Sequence, residues 1–111
     1  MEIAARLIEL KPNSASRVED WAEFINQHRE QALATLRAEG VSIESWFAVK
    51  LNGKDYLLCY MRAESIEDAE QVAAESENPV DAYHQQFKVD TWVRGAGADG
   101  QLLVDLSAKD A

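Results

Sequence analysis

The amino-acid sequence predicts an α+β domain with elements in the order β-α-β-β-α-β and one additional strand at its C-terminal end. Three observations support this class. Apolar residues recur at spacings of three and four over residues 17–39, as on one face of a helix. Asn52-Gly53 separates two apolar segments, as in a two-residue β-hairpin. A helix start signal, Ser65-Ile-Glu-Asp68, follows the second segment.

Each element has a local boundary signal. The first strand ends at Lys11-Pro12-Asn13, Gly40 stands where a glycine ends the first helix, and Asn78-Pro79 interrupts the second. This order is the split βαβ, ferredoxin-like pattern. The predicted strands cover residues 2–10, 41–51, 56–62, 91–94 and 101–106, and the predicted helices cover residues 17–39, 65–77 and 80–88. With 111 residues, the chain is predicted to form one domain, residues 1–111.

The Asn52-Gly53 turn fixes the register of the two strands that it joins. A type I′ turn places Lys50 opposite Asp55, a pair of opposite charges, and Trp46 opposite Cys59. Both faces of this hairpin carry large apolar residues, whereas two helices cover only one face of a sheet. A second copy of the chain is the simplest cover for the other face. We therefore predict a homodimer whose two sheets form a dimeric α/β barrel.

Charge and composition exclude several kinds of partner. The net charge is −9, with 11 basic residues scattered among 20 acidic ones, so nucleic acid and anionic membranes are not expected partners. No apolar run reaches the ~18 residues of a membrane-spanning helix. The N-terminus has no signal-peptide pattern, and Cys59 is the single cysteine, so a cytoplasmic location is expected.

Two segments resemble a bacterial family of unknown function, DUF6176, within the dimeric α/β barrel superfamily. They are GVSIESWFAVKLNGKDYLLCYMRAESIEDAEQV (Gly40–Val72) and NPVDAYHQQF (Asn78–Phe87), and the resemblance spans about residues 3–94. It implies the fold and the dimer described above. The superfamily contains antibiotic-biosynthesis-type monooxygenases, haem-degrading enzymes, chlorite-dismutase-like proteins, stress-response proteins and L-rhamnose mutarotases, so the resemblance leaves the activity open.

Among these enzymes, the mutarotases offer the most similar pattern. Glu44 occupies the position of an active-site tyrosine in their second strand, and Ile25 lies near the position of their helix-one histidine. Tyr83-His84 stands where they carry paired tryptophans. The resemblance implies that the face of the sheet bearing Glu44 and Trp46 lines the interior of the barrel.

Glu44 and His84 are the predicted acid–base residues. Glu44 lies among apolar neighbours, and a carboxylate in a desolvated barrel has a raised pKa suited to proton transfer. Its alternative is an exposed glutamate at the start of a strand. His84 lies in the short helical segment after Pro79, where it is predicted to close one mouth of the barrel, with a surface position as the alternative.

Three further residues are predicted ligand contacts. Trp46 would form an apolar wall, with core packing as its alternative. His28 lies on the apolar stripe of the first helix, as a base or simply as a core histidine. Arg62 ends the third strand and would bind an anionic group or lie in solvent. No metal site is predicted, since the two histidines lack ligand spacing, and no cofactor is predicted.

Two other features are given structural interpretations. The segment Gly95-Ala-Gly97-Ala-Asp-Gly100 matches GxGxxG in form, but no helix follows it, so residues 95–100 are predicted to be a flexible loop. Cys59 is predicted to be a small buried hydrophobic residue, because no base or cation that would activate it stands nearby in the sequence.

Three hypotheses about function follow. The first is a small-molecule pocket in the barrel, used for ligand binding or for metal-free catalysis of an isomerase/mutarotase-like or cofactor-independent monooxygenase-like reaction. The second is a non-catalytic dimerising module with a solidly packed barrel. The third is haem handling, with His28 or His84 as the axial ligand. The sequence leaves open whether the protein is an enzyme.

Overall fold

The structure, a computed structural model, describes residues 1–110 and confirms the α+β class. Four strands and four α-helices alternate in pairs, and a 3-10 turn ends the described chain. The elements are β1 (Glu2–Leu10), α1 (Ala15–Gln27), α2 (Arg29–Glu39), β2 (Val41–Leu51), β3 (Lys54–Ala63), α3 (Ile66–Glu75), α4 (Pro79–Thr91), β4 (Trp92–Asp99) and the 3-10 turn Ala108–Asp110.

The four strands form one antiparallel sheet in the order β2-β3-β1-β4. β2 and β4 are its edge strands, so the sheet of one chain is open. The hairpin register is as predicted: Trp46 lies opposite Cys59, and Lys50 Nζ lies 3.7 Å from Asp55 Oδ1. Asn52 and Gly53 both have positive φ, as a type I′ turn requires.

The helices pack against one face of the sheet, where the buried side chains of the strands lie. The core on this face consists of Ile8, Leu10, Trp21, Leu57, Cys59 and Phe87. Trp46 packs against this cluster, between the sheet and the helices of its own chain. The resemblance implied that the face of Glu44 and Trp46 lines a barrel between two subunits, and the structure corrects this: the chain's own helices cover that face.

The predicted first helix is two helices, because the chain breaks at His28. His28 has φ −105° and ψ 37°, outside helical geometry. Its backbone N–H donates to Phe24 O at 3.0 Å, and its ring nitrogen Nδ1 also lies 2.8 Å from Phe24 O. A carbonyl oxygen only accepts, so Nδ1 carries the proton. This local hydrogen bond competes with regular helix geometry and accounts for the break.

The last helix is longer than predicted, since it spans Pro79–Thr91 instead of residues 80–88. Its start is set by a side-chain cap. Asn78 Oδ1 accepts a hydrogen bond from the Val80 N–H at 2.9 Å, and Pro79 occupies the first turn, where its missing N–H costs nothing. Thr91 ends the helix one residue before β4. α3 begins as predicted, since Ser65 Oγ accepts from the Asp68 N–H at 3.2 Å.

The glycine-rich segment is a strand rather than the predicted loop. Residues 95–99 belong to β4, and Gly97 pairs with Ile8 of β1. Gly97 has φ +108°, and a Cβ at this position would lie 2.1 Å from Leu7 O. Only glycine permits so close an approach of the two backbones. Because glycine has low strand propensity, the sequence pattern predicted a loop here.

Residues 101–106 were predicted to form a fifth strand, and they do not. Gly100 N–H donates to Ala5 O at 2.7 Å, and Asp105 pairs with Arg62, so the segment is held at two points without a ladder. β1 already pairs with β3 on one side and β4 on the other. Both sides of β1, to which this segment is tied at Ala5, are therefore already paired.

The sheet face opposite the helices is uncovered in the single chain. Phe47 is 52% exposed and Ile43 is 45% exposed on this face, while Leu103 and Leu106 of the C-terminal segment are more than 80% exposed. Within the described residues, no helix is both long and apolar enough to cross a membrane.

Candidate functional site

A cavity of about 450 Å³ lies beside the edge strand β2, between the sheet and helices α1, α2 and α4. Its volume falls in the range of small-molecule sites. Three carboxyl groups line it, together with the guanidinium group of Arg29, one histidine and an aromatic wall. Besides Arg29, these residues are Glu39, Glu44, Asp81, His84, Trp21 and Trp46.

A tight connection brings two of the carboxyl groups to the cavity. Glu39 is the last residue of α2, and Glu44 lies a few residues into β2. Gly40 joins the two elements with φ 74°, a left-handed conformation that ends the helix. The chain therefore reverses between the two glutamates, and both line the same space.

Helix α4 supplies the opposite wall of the cavity. Asp81 lies in its first turn, where the helix dipole favours a negative charge. His84 follows one turn later and therefore lies on the same side of the helix. The cap formed by Asn78 and Pro79 sets the start of α4 and so fixes the position of both side chains.

Burial raises the pKa of the Glu44 carboxyl above its ordinary value of 4.5. The negative charge of Asp81 raises it further, while Lys88 and the Trp46 side chain partly oppose the shift. Glu44 was predicted to be an acid–base residue because of such an environment, and its surroundings have the desolvated character that this role requires.

Glu39 is the residue that sequence reasoning missed. Burial, followed by the charges of Asp81 and Glu44, raises the pKa of its carboxyl to about 7, with Lys88 opposing. A group that titrates near neutral pH both accepts and releases a proton readily. One local signal was present in the sequence: an acidic residue directly before the helix-ending Gly40, where the helix dipole disfavours negative charge.

His84 is held as a neutral hydrogen-bond donor. Trp21 Nε1–H donates to His84 Nδ1 at 3.0 Å, so the proton of the neutral ring is on Nε2. Burial, and then the charge of Lys88, lower the pKa of His84 to about 3. The imidazole is therefore uncharged at neutral pH, and its remaining polar group is the Nε2–H donor.

An aromatic cluster fixes the wall of the cavity. The ring of Trp21 stacks on Phe87 with centroids 4.6 Å apart, and Trp46 meets Trp21 edge-on at 5.3 Å. His84 lies 5.5 Å from Trp46 in an edge arrangement. Trp46 thus packs against the core and lines the cavity at once, which combines the two interpretations of this residue.

The structure brings three of the five sequence-predicted site residues together and leaves two elsewhere. Glu44, His84 and Trp46 line the cavity. His28 lies at the break between α1 and α2, stacked on Phe24 at 4.1 Å, and does not line it.

Arg62 lies on the opposite face of the sheet from this cavity. It forms an ion pair of 2.6 Å with Asp105 and hydrogen-bonds to the hydroxyl of Tyr60. The carboxylate of Asp105 therefore occupies the position where an anionic ligand group was expected, and Arg62 connects the C-terminal segment to the open face.

Cys59 is a buried free thiol, as the sequence predicted. Burial raises its pKa to about 12, with the charge of Glu44 adding to the shift, so the thiolate is not populated near neutral pH. Across the part of the chain that the structure describes, no three His, Cys, Asp or Glu side chains are grouped closely enough to hold a metal ion. The three carboxyl groups therefore line the cavity without converging on one point.

The protein is thus an α+β domain with an antiparallel sheet and an acid-lined cavity between the sheet and its helices. The chain belongs to DUF6176, a family of unknown function, which it matches over residues 1–110. No curated protein matches the chain.

Proposed function

We propose that the acid-lined cavity binds a small polar molecule and catalyses a proton-transfer isomerisation, in the manner of a mutarotase, without a protein-bound metal. One observation carries the proposal: two carboxyl groups with raised pKa values, Glu39 and Glu44, line one cavity with a neutral histidine donor. An ionised and a protonated carboxyl in one site form the base and acid that such a reaction needs.

Interconversion of sugar anomers illustrates the balance of the step. A carboxylate removes the proton of the anomeric hydroxyl, the bond between the anomeric carbon and the ring oxygen breaks, and the ring oxygen receives a proton from the second carboxyl. Closure on the other face reverses these transfers. No oxidant or co-reactant is consumed: the first carboxyl returns its proton to the anomeric oxygen, and the second regains the proton that it gave to the ring oxygen.

The remaining wall residues support the same chemistry. The Nε2–H of His84 is suited to donate to an oxygen that gains negative charge, because a neutral donor in a desolvated site stabilises such charge without a change of its own protonation. The ring of Trp46 offers a flat apolar surface for a sugar or aromatic ring. A cofactor-independent oxygenation would use one base and leave the second carboxyl without a role, so we favour the isomerisation.

We propose further that the chain forms a homodimer through the open face of its ferredoxin-like sheet, giving the dimeric α/β barrel. The exposed Phe47 and Ile43 and the apolar C-terminal segment supply the surface, since exposed apolar residues grouped together are typical of interaction sites. Light scattering on the wild type is expected to give about twice 12.4 kDa. Phe47→Glu is expected to give the monomer mass; a wild-type monomer at micromolar concentration contradicts the dimer.

The catalytic proposal is tested by measuring anomeric exchange of common monosaccharides by NMR in the presence of the protein. The wild type is expected to accelerate exchange of at least one sugar. Glu44→Gln is expected to lower that rate about 100-fold, because it removes a positioned acid–base group. Glu19→Gln, which changes an exposed glutamate of α1, is the matched control and keeps the wild-type rate.

A non-catalytic dimerising module is the second candidate, and the packing of Trp46 into the core favours it. It predicts no acceleration for any sugar and no rise in melting temperature on addition of sugars or aromatic compounds. A dimer with neither property would replace the catalytic proposal with this one.

A further inference from the structure

A second cavity, of about 440 Å³, lies beside the other edge strand, between β4, β1 and the C-terminal half of α4. It shares no lining residue with the acid-lined cavity. Trp92 lines it, and the ring of Trp92 lies 6.1 Å from that of Trp46 in the first cavity. The two spaces are thus separated by a pair of tryptophan rings.

Basic side chains dominate the lining of this second cavity, although the chain as a whole has a net charge of −9. Arg6, Lys88 and Arg94 line it, with Asp99 as the one acidic residue. Asp99 lies 3.5 Å from Arg6 and is therefore already engaged. The positive charges of Lys88 and Arg94 are left in excess in this space.

Lys88 is the unusual member of this group. It is half-buried, and none of the described carboxylates lies within ion-pair distance of its ammonium group. The other described lysines and arginines that lack an ion pair are all exposed to solvent. The Lys88 Nζ lies 5.0 Å from the centroid of Trp92, a cation–π contact. A partly desolvated ammonium group without an ion-pair partner is costly, and a bound anion would lower that cost.

The neighbouring wall also contains a hydrogen-bond donor without a partner. The Trp92 indole N–H is buried with no hydrogen-bond partner in the described structure, an arrangement that native proteins rarely leave unfilled. Next to it, the segment from Gly95 to Gly97 has no side chain larger than a methyl group, so a ligand can approach the main chain closely.

We propose that this second cavity is a binding site for a small molecule carrying a phosphate or carboxylate group, held by Lys88, Arg94 and Arg6. Guanidinium groups match the planar geometry of these anions, and the ammonium group of Lys88 supplies a point charge. The site is distinct from the acid-lined cavity, with which it shares no lining residue.

The test is an NMR titration of the ¹⁵N-labelled protein with inorganic phosphate, and separately with succinate, at constant ionic strength kept by sodium chloride. Binding is expected to shift the Trp92 indole signal and the Gly95 and Gly97 amide signals in a saturable way. The tighter of the two probes identifies the preferred anionic group.

Variants make the test specific. Lys88→Gln and Arg94→Gln are each expected to weaken binding about tenfold, by loss of one charged hydrogen bond. Arg37→Gln removes the same charge from an exposed position on α2 and is expected to leave affinity unchanged. Arg94 is exposed, so its replacement tests the site even where Lys88→Gln perturbs folding. Shifts that never saturate, or equal affinity in all three variants, overturn the proposal.

Discussion

The two edges of the sheet carry cavities of nearly equal volume and opposite charge. Helix α4 borders both: its first half contributes Asp81 and His84 to the acid-lined cavity, and its second half contributes Lys88 to the basic one. The opposite charges are coupled, because Lys88 lowers the pKa of Glu44 while Glu44 raises that of Lys88.

The comparison shows how a small domain separates two kinds of chemistry. The acid-lined cavity places carboxyl groups where burial favours the protonated form, and so it holds protons that are available for transfer. The basic cavity is lined by a half-buried cation, Lys88, that has no ion-pair partner among the described residues. The rings of Trp46 and Trp92, with centroids 6.1 Å apart, lie between the two cavities, and the charges of Glu44 and Lys88 still act on each other.

The largest expected effect concerns the backbone wall of the basic cavity. Gly97→Ala is expected to lower the free energy of unfolding by about 3–5 kcal/mol, because the new methyl group would overlap Leu7 O. Gly95→Ala, at φ +75° with open space around it, is expected to cost only about 1 kcal/mol. Urea unfolding of both variants measures the difference. Equal costs would show that β4 does not approach β1 this closely.

The next effect concerns acid stability and the histidine of the acid-lined cavity. Because the pKa of His84 falls to about 3 on folding, its contribution to stability is full above its unfolded pKa of about 6.5 and is lost as pH falls towards 3. His84→Gln is expected to remove on the order of 2 kcal/mol of the stability lost between pH 7 and pH 4.5. Urea unfolding at the two pH values tests this; an unchanged pH dependence would mean that folding does not lower the pKa of His84.

Glu39 has the opposite and smaller expected effect. Its pKa is raised to about 7, so its contribution to stability is full below pH 4.5 and is lost as pH rises through 7. Glu39→Gln is expected to reduce the stability lost between pH 5 and pH 8 by about 1 kcal/mol, a modest value because the side chain is partly exposed to solvent.

Glu30→Gln is the matched control for this measurement. It removes an exposed carboxyl from the same helix, outside the cavity. Asp81, Glu44 and Lys88, whose charges shift the pKa of Glu39, are retained in both variants. Identical pH profiles for the two variants would contradict the raised pKa of Glu39.

The features that were predictable from sequence are those set by neighbouring residues. The Asn52-Gly53 turn determined the hairpin register, and Ser65 marked the start of α3. The break at His28 was missed, because its ring bonds to a carbonyl that is fixed only once the helix is built. The second half of β4, residues 95–99, was missed, because Gly97 is required by the close approach of β1, a contact between distant parts of the chain.

The same distinction applies to the candidate site. Glu44, Trp46 and His84 were predictable as residues of apolar strands and helices, and they line one cavity. The importance of Glu39 depends on Asp81 and Lys88, which come from a helix distant in sequence. Arg62 was assigned to ligand binding because it ends a strand, and its pairing with Asp105 depends on the path of the C-terminal segment.

The most direct test of the central claim is an NMR titration of the glutamate side-chain carboxyl carbons, with Glu39→Gln and Glu44→Gln used to assign the two signals. We predict a pKa of about 7 for Glu39 and a pKa above 4.5 for Glu44. In Glu44→Gln, the pKa of Glu39 is expected to fall, because the charge of Glu44 is one of the causes that raise it. Two values at or below 4.5 would show that the cavity holds ordinary solvated carboxylates and would contradict its proposed role in proton transfer.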